Sequence, residues 1–208
     1  YGWLTFTTPI VFYGFVPILE FLIKPNKINF SKEEEKAEKE NKLYTYLLYL
    51  TIPIQLVFLF FFFNIIQEPN LTTLEISGRI FSMGIMSTII GINVGHELGH
   101  RNNKLDEFFG GILLLSTLNT HFLPYHNGGQ HYNVATPNDA ATAKKGEILY
   151  FFWFRSHFQS YIQAWKIENK RMKTEDKNWF HYNNKMVVYT FWNVIFLSSI
   201  FYFFGQFV

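Results

Sequence analysis

Apolar and polar positions fall into long separate blocks along this chain. Residues 1–23 (YGWLTFTTPIVFYGFVPILEFLI) carry one charge, Glu20, and residues 43–66 (LYTYLLYLTIPIQLVFLFFFFNII) carry none. Residues 74–95 (LEISGRIFSMGIMSTIIGINVG) carry Glu75 and Arg79 near one end, and residues 186–208 (MVVYTFWNVIFLSSIFYFFGQFV) carry none. A bilayer is crossed by a helix of about 20 mainly apolar residues, so the pattern predicts four transmembrane helices. Core helices of a large soluble protein would give similar runs, but four of them in 208 residues argue against that reading. A shorter run, 108–124 (FFGGILLLSTLNTHFLP), suits a re-entrant or half-buried helix. The expected fold is all-α, a polytopic transmembrane helical bundle forming one membrane domain over 1–208.

The polar connections set its orientation. The loop 24–42 holds six Lys, 67–73 (QEPNLTT) holds no Lys or Arg, and 96–185 holds eleven. Positive charge accumulates on the cytoplasmic side of membrane proteins. Loops 24–42 and 96–185 are therefore expected to face the cytoplasm and 67–73 the opposite side, an arrangement consistent with the parity of the spans. Within the first loop, SKEEEKAEKENK (31–42) has helical propensity, with Ser31 as N-cap before Glu33 to Glu35. It reads as a solvated charged helix. IENKRMKTEDKN (167–178) reads as the end of another such helix and a turn.

Composition sharpens this picture. Charged residues make up 16% of the chain, below the roughly 25% of soluble domains, while aromatics reach 20% and Phe alone supplies 25 residues. The net charge of +2 is mixed in sign, which gives no case for nucleic acid. Cys is absent, so disulfides, thiolate zinc and Cys-ligated iron–sulfur clusters are excluded, and any metal must be held by His and carboxylates. The first residue is Tyr1, already inside an apolar run, so a piece of a longer chain is expected.

The candidate chemistry lies in two histidine groups. The first is VGHELGHRNN (94–103), directly after the third apolar segment. His96 and His100 are four apart, which puts them on one helix face. HExxH is best known from zinc proteases, in which the Glu is the general base. Polar side chains at a membrane boundary are costly and tend to be functional, so His96 and His100 read as metal ligands. The second group is HFLPYHNGGQHYNVATPNDAATAKKGE (121–147), with His121, His126, Gln130 and His131. Pro124 is expected to end a helix or open a turn. Gly128 and Gly129 are expected to bend the backbone tightly so that His126 and His131 converge. His121 is a weaker candidate, and Gln130 a weak one because amide oxygen is a poorer metal ligand than imidazole. His157 and His181 read as interfacial side chains. Asp139 and Glu147 could support the ligating histidines from behind.

In this order the motifs resemble the integral-membrane alkane hydroxylases, the alkane 1-monooxygenases of the wider membrane histidine-box group that includes fatty acid desaturases. HELGHR is similar to that family's first box. HFLPYHNGGQHYNVATPNDAATAKKGE resembles its second, usually HFxxEHNxGHHxxVATPxDPASAxxGE. FWFRSHFQSYIQAWKIENKR resembles the stretch next to it in the family, and VPILEFLI the end of an early transmembrane helix. Two departures stand out: Gln130 occupies one position of the family's tandem His-His, and Tyr125 replaces the usual Glu before His126. A third box, HxxHH, and a late EHYG-like motif do not occur in residues 1–208.

The resemblance implies a non-haem di-iron monooxygenase with two Fe ions. It would hydroxylate the terminal carbon of medium-chain alkanes, with O2 as co-substrate and rubredoxin as electron donor. It would sit in a bacterial inner membrane among lipid, with the metal site toward the cytoplasm. His96, His100, His126 and His131 would be ligands, and Glu97 and Asp139 supporting carboxylates. Imidazole suits iron and zinc alike, but a catalytic zinc needs only three protein ligands, and the number of clustered histidines points to more than one metal. A fatty acyl desaturase or hydroxylase would use the same donors. A membrane zinc metalloprotease would need Glu97 as base and Glu147 as third ligand, and would give His126 and His131 no role.

Overall fold

The computed structural model describes residues 1–25 and 28–205, and these are helical with no strand. Among the described residues, three helices are long and apolar enough to cross a membrane: α1 (Gly2–Leu22), α3 (Lys42–Ile65) and the last helix, Lys185–Phe204. The chain is thus an all-helical membrane bundle, as its pattern predicts. Between α1 and α3 lies the charged α2 (Lys32–Glu40), which opens on a capping box in which Ser31 and Glu34 satisfy each other's backbone N–H groups. The end of the fourth apolar run, residues 206–208, and residues 26–27 of the loop 24–42 lie outside the described residues.

The third apolar run is helical but not one regular helix. It comprises α4 (Thr73–Met86), a π-helical stretch Ser87–Asn93, and α5 (Val94–Gly99), which carries HELGH. π-helical turns recur at functional sites because they add a residue to the turn and re-aim the side chains beyond it. The hairpin before α4 is fixed by Arg79, whose guanidinium donates to the Ile65 carbonyl and pairs with Glu68 at 2.7 Å. Glu75 closes the Thr72 capping box and also accepts from the backbone N–H of Gly2 at 2.9 Å, which ties α1 to α4.

The shorter run expected to be re-entrant or half-buried lies largely in α6 (Lys104–Ser116), which is capped by Asn103 and ends where Leu118 adopts a positive φ. One face of it packs inward: Leu113 is fully buried with Leu98 of α5 and Ile52 of α3, flanked by Val94, Phe109 and Ile112, while Leu105 and Phe108 on the same helix are exposed. Gln55, fully buried in α3, binds this layer together by donating to the hydroxyls of Ser87 (3.2 Å) and Ser116 (3.3 Å). A short α7 (Phe122–Tyr125) leads into the second histidine group, and a 26-residue helix, α8 (Leu149–Thr174), comes after the VATP loop. The turn into α9 (Lys185–Phe204) is built on buried Asn184, which caps α9 and donates to the Trp179 carbonyl at 2.7 Å, and on Glu168, which accepts from the Lys185 backbone N–H at 2.8 Å.

The backbones of α5 and α6 approach closely where the two helices cross. A Cβ on Gly110 would lie 2.9 Å from the Gly95 carbonyl oxygen and 3.3 Å from the Gly99 nitrogen, and both neighbours are backbone. Gly111 beside it faces open space. Replacing Gly110 by Ala is therefore expected to destabilise the fold by about 1–3 kcal/mol by forcing the helices apart. Gly111→Ala is expected to stabilise by up to about 1 kcal/mol through helix propensity. Thermal unfolding of the two variants side by side checks the sign of each.

Candidate metal centre

The α5–α6 crossing places HELGH against the second histidine group. His96 and His100 lie one helical turn apart and point the same way, with their Nε2 atoms 2.7 Å from each other. His126 reaches across from the second group, its Nε2 2.8 Å from that of His96 and 3.0 Å from that of His100. Each neutral imidazole has one N–H to donate, and three nitrogens aimed at one point are poorly served by bonding to each other alone. An imidazole nitrogen sits about 2.1 Å from a bound first-row metal, so three nitrogens on one ion stand roughly 3.0–3.4 Å apart. The observed separations fall at or a few tenths of an ångström below that range. Among the described residues these three histidines are the group of ligand-type side chains compact enough for one ion.

Local structure explains the convergence. His126–Gln130 forms a π-helical turn in which the His131 backbone N–H bonds to the His126 carbonyl, five residues back. Residues five apart therefore share a face here, and the His131 ring comes within 4.4 Å of His126 and 5.1 Å of His100, centroid to centroid. Gly128 and Gly129 do not form the tight turn expected of them: neither has positive φ. Their role is close packing, since a Cβ on either would sit 2.8 Å from the Ile167 side chain of α8. Asn127 donates to the Gly99 carbonyl at 3.0 Å, satisfying the open end of α5 and joining the two groups directly.

Gln130 does not face the three converging nitrogens. Its Oε1 lies 2.5 Å from Nδ1 of His126, so Nδ1–H donates to Gln130 and the Nε2 lone pair is left pointing into the cluster. Burial depresses the affinity of His126 for a proton. The bond to Gln130 acts the other way, and the facing histidines add to the depression. The net direction favours the neutral ring, which is the form that binds metal. His121 lies apart, buried near Ser160 (3.3 Å) and ring to ring with His157 at 5.0 Å. His157 therefore packs against His121, and His181 accepts from the Asn183 backbone N–H.

The carboxylates named from the sequence also take other partners. Glu97 is exposed and pairs with Arg101 at 3.5 Å, while Arg101 donates to Thr45 of α3 at 2.9 Å. Asp139 is buried 2.5 Å from the Tyr125 hydroxyl and accepts from the Thr142 hydroxyl (2.6 Å) and the Ala141 backbone N–H (2.9 Å). Burial works to raise its pKa, but these three donors outweigh it and hold it below the usual range. Burial and the Asp139 bond push the Tyr125 phenol up. Tyr125, which departs from the resembling motif, is thus the link between Asp139 and the His126 turn.

Glu147 is gripped by Arg155 of α8 through both carboxylate oxygens, at 2.6 and 2.8 Å. The same guanidinium donates to the carbonyls of Ala140 (3.3 Å) and Thr142 (3.0 Å). The histidine spacing does not single out Arg155, although an Arg inside the apolar stretch FFWFRSHF is a usable signal.

No protein-family model matches the chain. Several curated proteins are similar to it. The alkane 1-monooxygenase of Pseudomonas putida is 31% identical over 196 residues, which is 94% of this chain and 48% of that protein. An alkane 1-monooxygenase 2 of Pseudomonas aeruginosa is 31% identical over 179 residues, 85% of this chain and 48% of the relative. More distant is the Pseudomonas putida xylene/toluene monooxygenase hydroxylase component XylM, 26% identical over 124 residues, 60% of this chain. The chain spans about half the length of the alkane 1-monooxygenases it matches.

Two outcomes are expected at this site. Gln130→Leu removes the acceptor that orients His126 and is expected to lower metal affinity about 10–100-fold, whereas Gln130→Glu keeps an acceptor and most of the affinity; competition with a metal chelator measures both. Arg155, with help from the Lys144 backbone N–H, depresses the Glu147 pKa to about 2. The unfolded value is near 4.5, so this stabilisation is present above about pH 4.5 and is lost as pH falls toward about 2. Glu147→Gln should therefore flatten the acid limb of a stability–pH curve and leave its shape near pH 7 unchanged. Identity near 30% over most of the chain, together with the ordered histidine groups, is consistent with membership of the alkane hydroxylase family.

Proposed function

We propose that this chain carries part of the metal site of a non-haem di-iron monooxygenase that hydroxylates the terminal carbon of medium-chain alkanes. The observation that supports this most strongly is the meeting of three imidazole Nε2 atoms from two separate helices within 3.0 Å of one another. His96, His100 and His126 would hold one ion. His131, whose ring lies beside theirs, would serve a second. When bound, iron would activate O2 with two supplied electrons for insertion into an unactivated C–H bond.

The chain's own residues would do the positioning. Gln130 holds the His126 tautomer, Asn127 fixes the second group to the end of α5, and Asp139 and Arg155 hold the VATP loop behind Tyr125. The alkane 1-monooxygenases among its relatives support an alkane as substrate, and rubredoxin as electron donor is part of the same proposal. The Lys-rich connections support a site on the cytoplasmic side of the membrane, and the bacterial relatives support a bacterial inner membrane as its place. The zinc protease reading finds less support. Glu97 pairs with Arg101 and Glu147 with Arg155, so the base and third ligand it requires are both engaged elsewhere.

Metal analysis of the intact purified protein is expected to give about two irons per chain, and one zinc without iron would overturn the proposal. His126→Ala is expected to remove at least half of the bound iron. Oxidation of octane to 1-octanol with a rubredoxin system, run beside toluene and a fatty acyl substrate, tests the substrate class.

A further inference from the structure

A groove of about 470 Å³ runs between α6 and α9, within the size range of small-molecule sites. Its walls are apolar, formed by Phe108, Ile112, Leu115, Val188 and Trp192. At its mouth stand Lys104, Glu107 and Lys185. The same three residues also line a polar cleft of about 560 Å³ that continues past the mouth along Asn102, Asn103 and Asn127. The two spaces thus join into one recess, apolar at one end and polar at the other, with three charged side chains at the junction. The apolar end runs along α9, a candidate membrane span, and the junction lies at that helix's first residue.

The charges at the junction do not balance. Lys185 pairs with Glu107, which neutralises both. The Lys104 side chain is exposed and makes no hydrogen bond or ion pair among the described residues, so its ammonium is the charge left without a protein partner at the junction. An alkane offers nothing to this ammonium. A molecule with an acyl tail and an anionic head satisfies both ends of the recess, as basic pockets between membrane helices do for acidic lipids. We propose that the groove between α6 and α9 binds one acyl chain of an anionic membrane phospholipid, with Lys104 contacting its headgroup. The apolar groove itself holds none of the converging histidines, while the polar end of the recess borders the metal centre at His100 and His131.

Trp192 on the groove wall provides the readout. The full chain is reconstituted in vesicles containing phosphatidylglycerol or phosphatidylcholine with brominated acyl chains, and tryptophan quenching is followed with and without Trp192→Phe to isolate the groove signal. Quenching of Trp192 is expected to favour phosphatidylglycerol about five-fold, the effect of one lysine near a membrane surface. Lys104→Gln is expected to abolish that preference and Lys104→Arg to keep it. Gly111→Leu, which projects into open space on the groove wall, is expected to reduce Trp192 quenching by both lipids. Equal quenching by the two headgroups, a preference that survives Lys104→Gln, or quenching unchanged by Gly111→Leu would each overturn the proposal.

Discussion

Three imidazole rings held with their Nε2 atoms 2.7–3.0 Å apart form a constraint that much of the surrounding structure serves. Burial and the facing rings lower the proton affinity of His96 and His126, which favours neutral rings with directed lone pairs there. The arrangement also requires that two helices from different parts of the chain meet to within a few tenths of an ångström. The glycine crossing of α5 and α6 supplies the approach. The Asn127 bond to the Gly99 carbonyl supplies the register, and the Gln130 bond to His126 supplies the ring orientation.

Behind this inner arrangement lies an outer frame of side chains that never reach the rings. Tyr49 donates to Asp106 at 2.5 Å and Arg101 to Thr45, so both ends of the α5–α6 turn are held against α3. On the other side, Tyr125, Ala140, Ala164 and Met186 form a buried apolar cluster under the second histidine group. Arg155 then pins the loop that covers it. The two histidine groups therefore rest on separate small cores, one shared with α3 and one with α8 and α9. This separation makes the bonds that cross between the cores, such as Asn127 to Gly99, more consequential than their number suggests.

Much of this was legible in the chain. Long runs with at most one charge coincide with α1, α3 and α9, the helices long and apolar enough to cross a membrane among the described residues, because hydrocarbon thickness sets the length such a helix needs. The four-residue spacing of His96 and His100 sufficed to place them on one face. What stayed hidden depends on contacts between distant segments. That one face of α6 packs inward results from partners at Ile52 and Leu98, which its own periodicity does not reveal. Gln130 looked like a replaced ligand because sequence position does not say which nitrogen of a neighbouring ring a side chain meets. The 26-residue extent of α8 was masked by its mixture of aromatic and charged residues, which resembles neither a span nor a solvated helix.

The π-helical turn at His126–Gln130 makes chain length itself a structural variable at this site. An α-helical turn closes at the fourth residue and a π turn at the fifth, so the segment holds one residue more than a regular helix would. Losing a single residue between His126 and His131 would let the segment relax to an α-helix and would carry every later side chain about 100° around its axis. His131 would keep its identity and lose its place beside His126. Over HNGGQH the count of residues therefore matters as much as their chemistry, and substitution at Asn127 or Gly128 is a milder change than deletion of either.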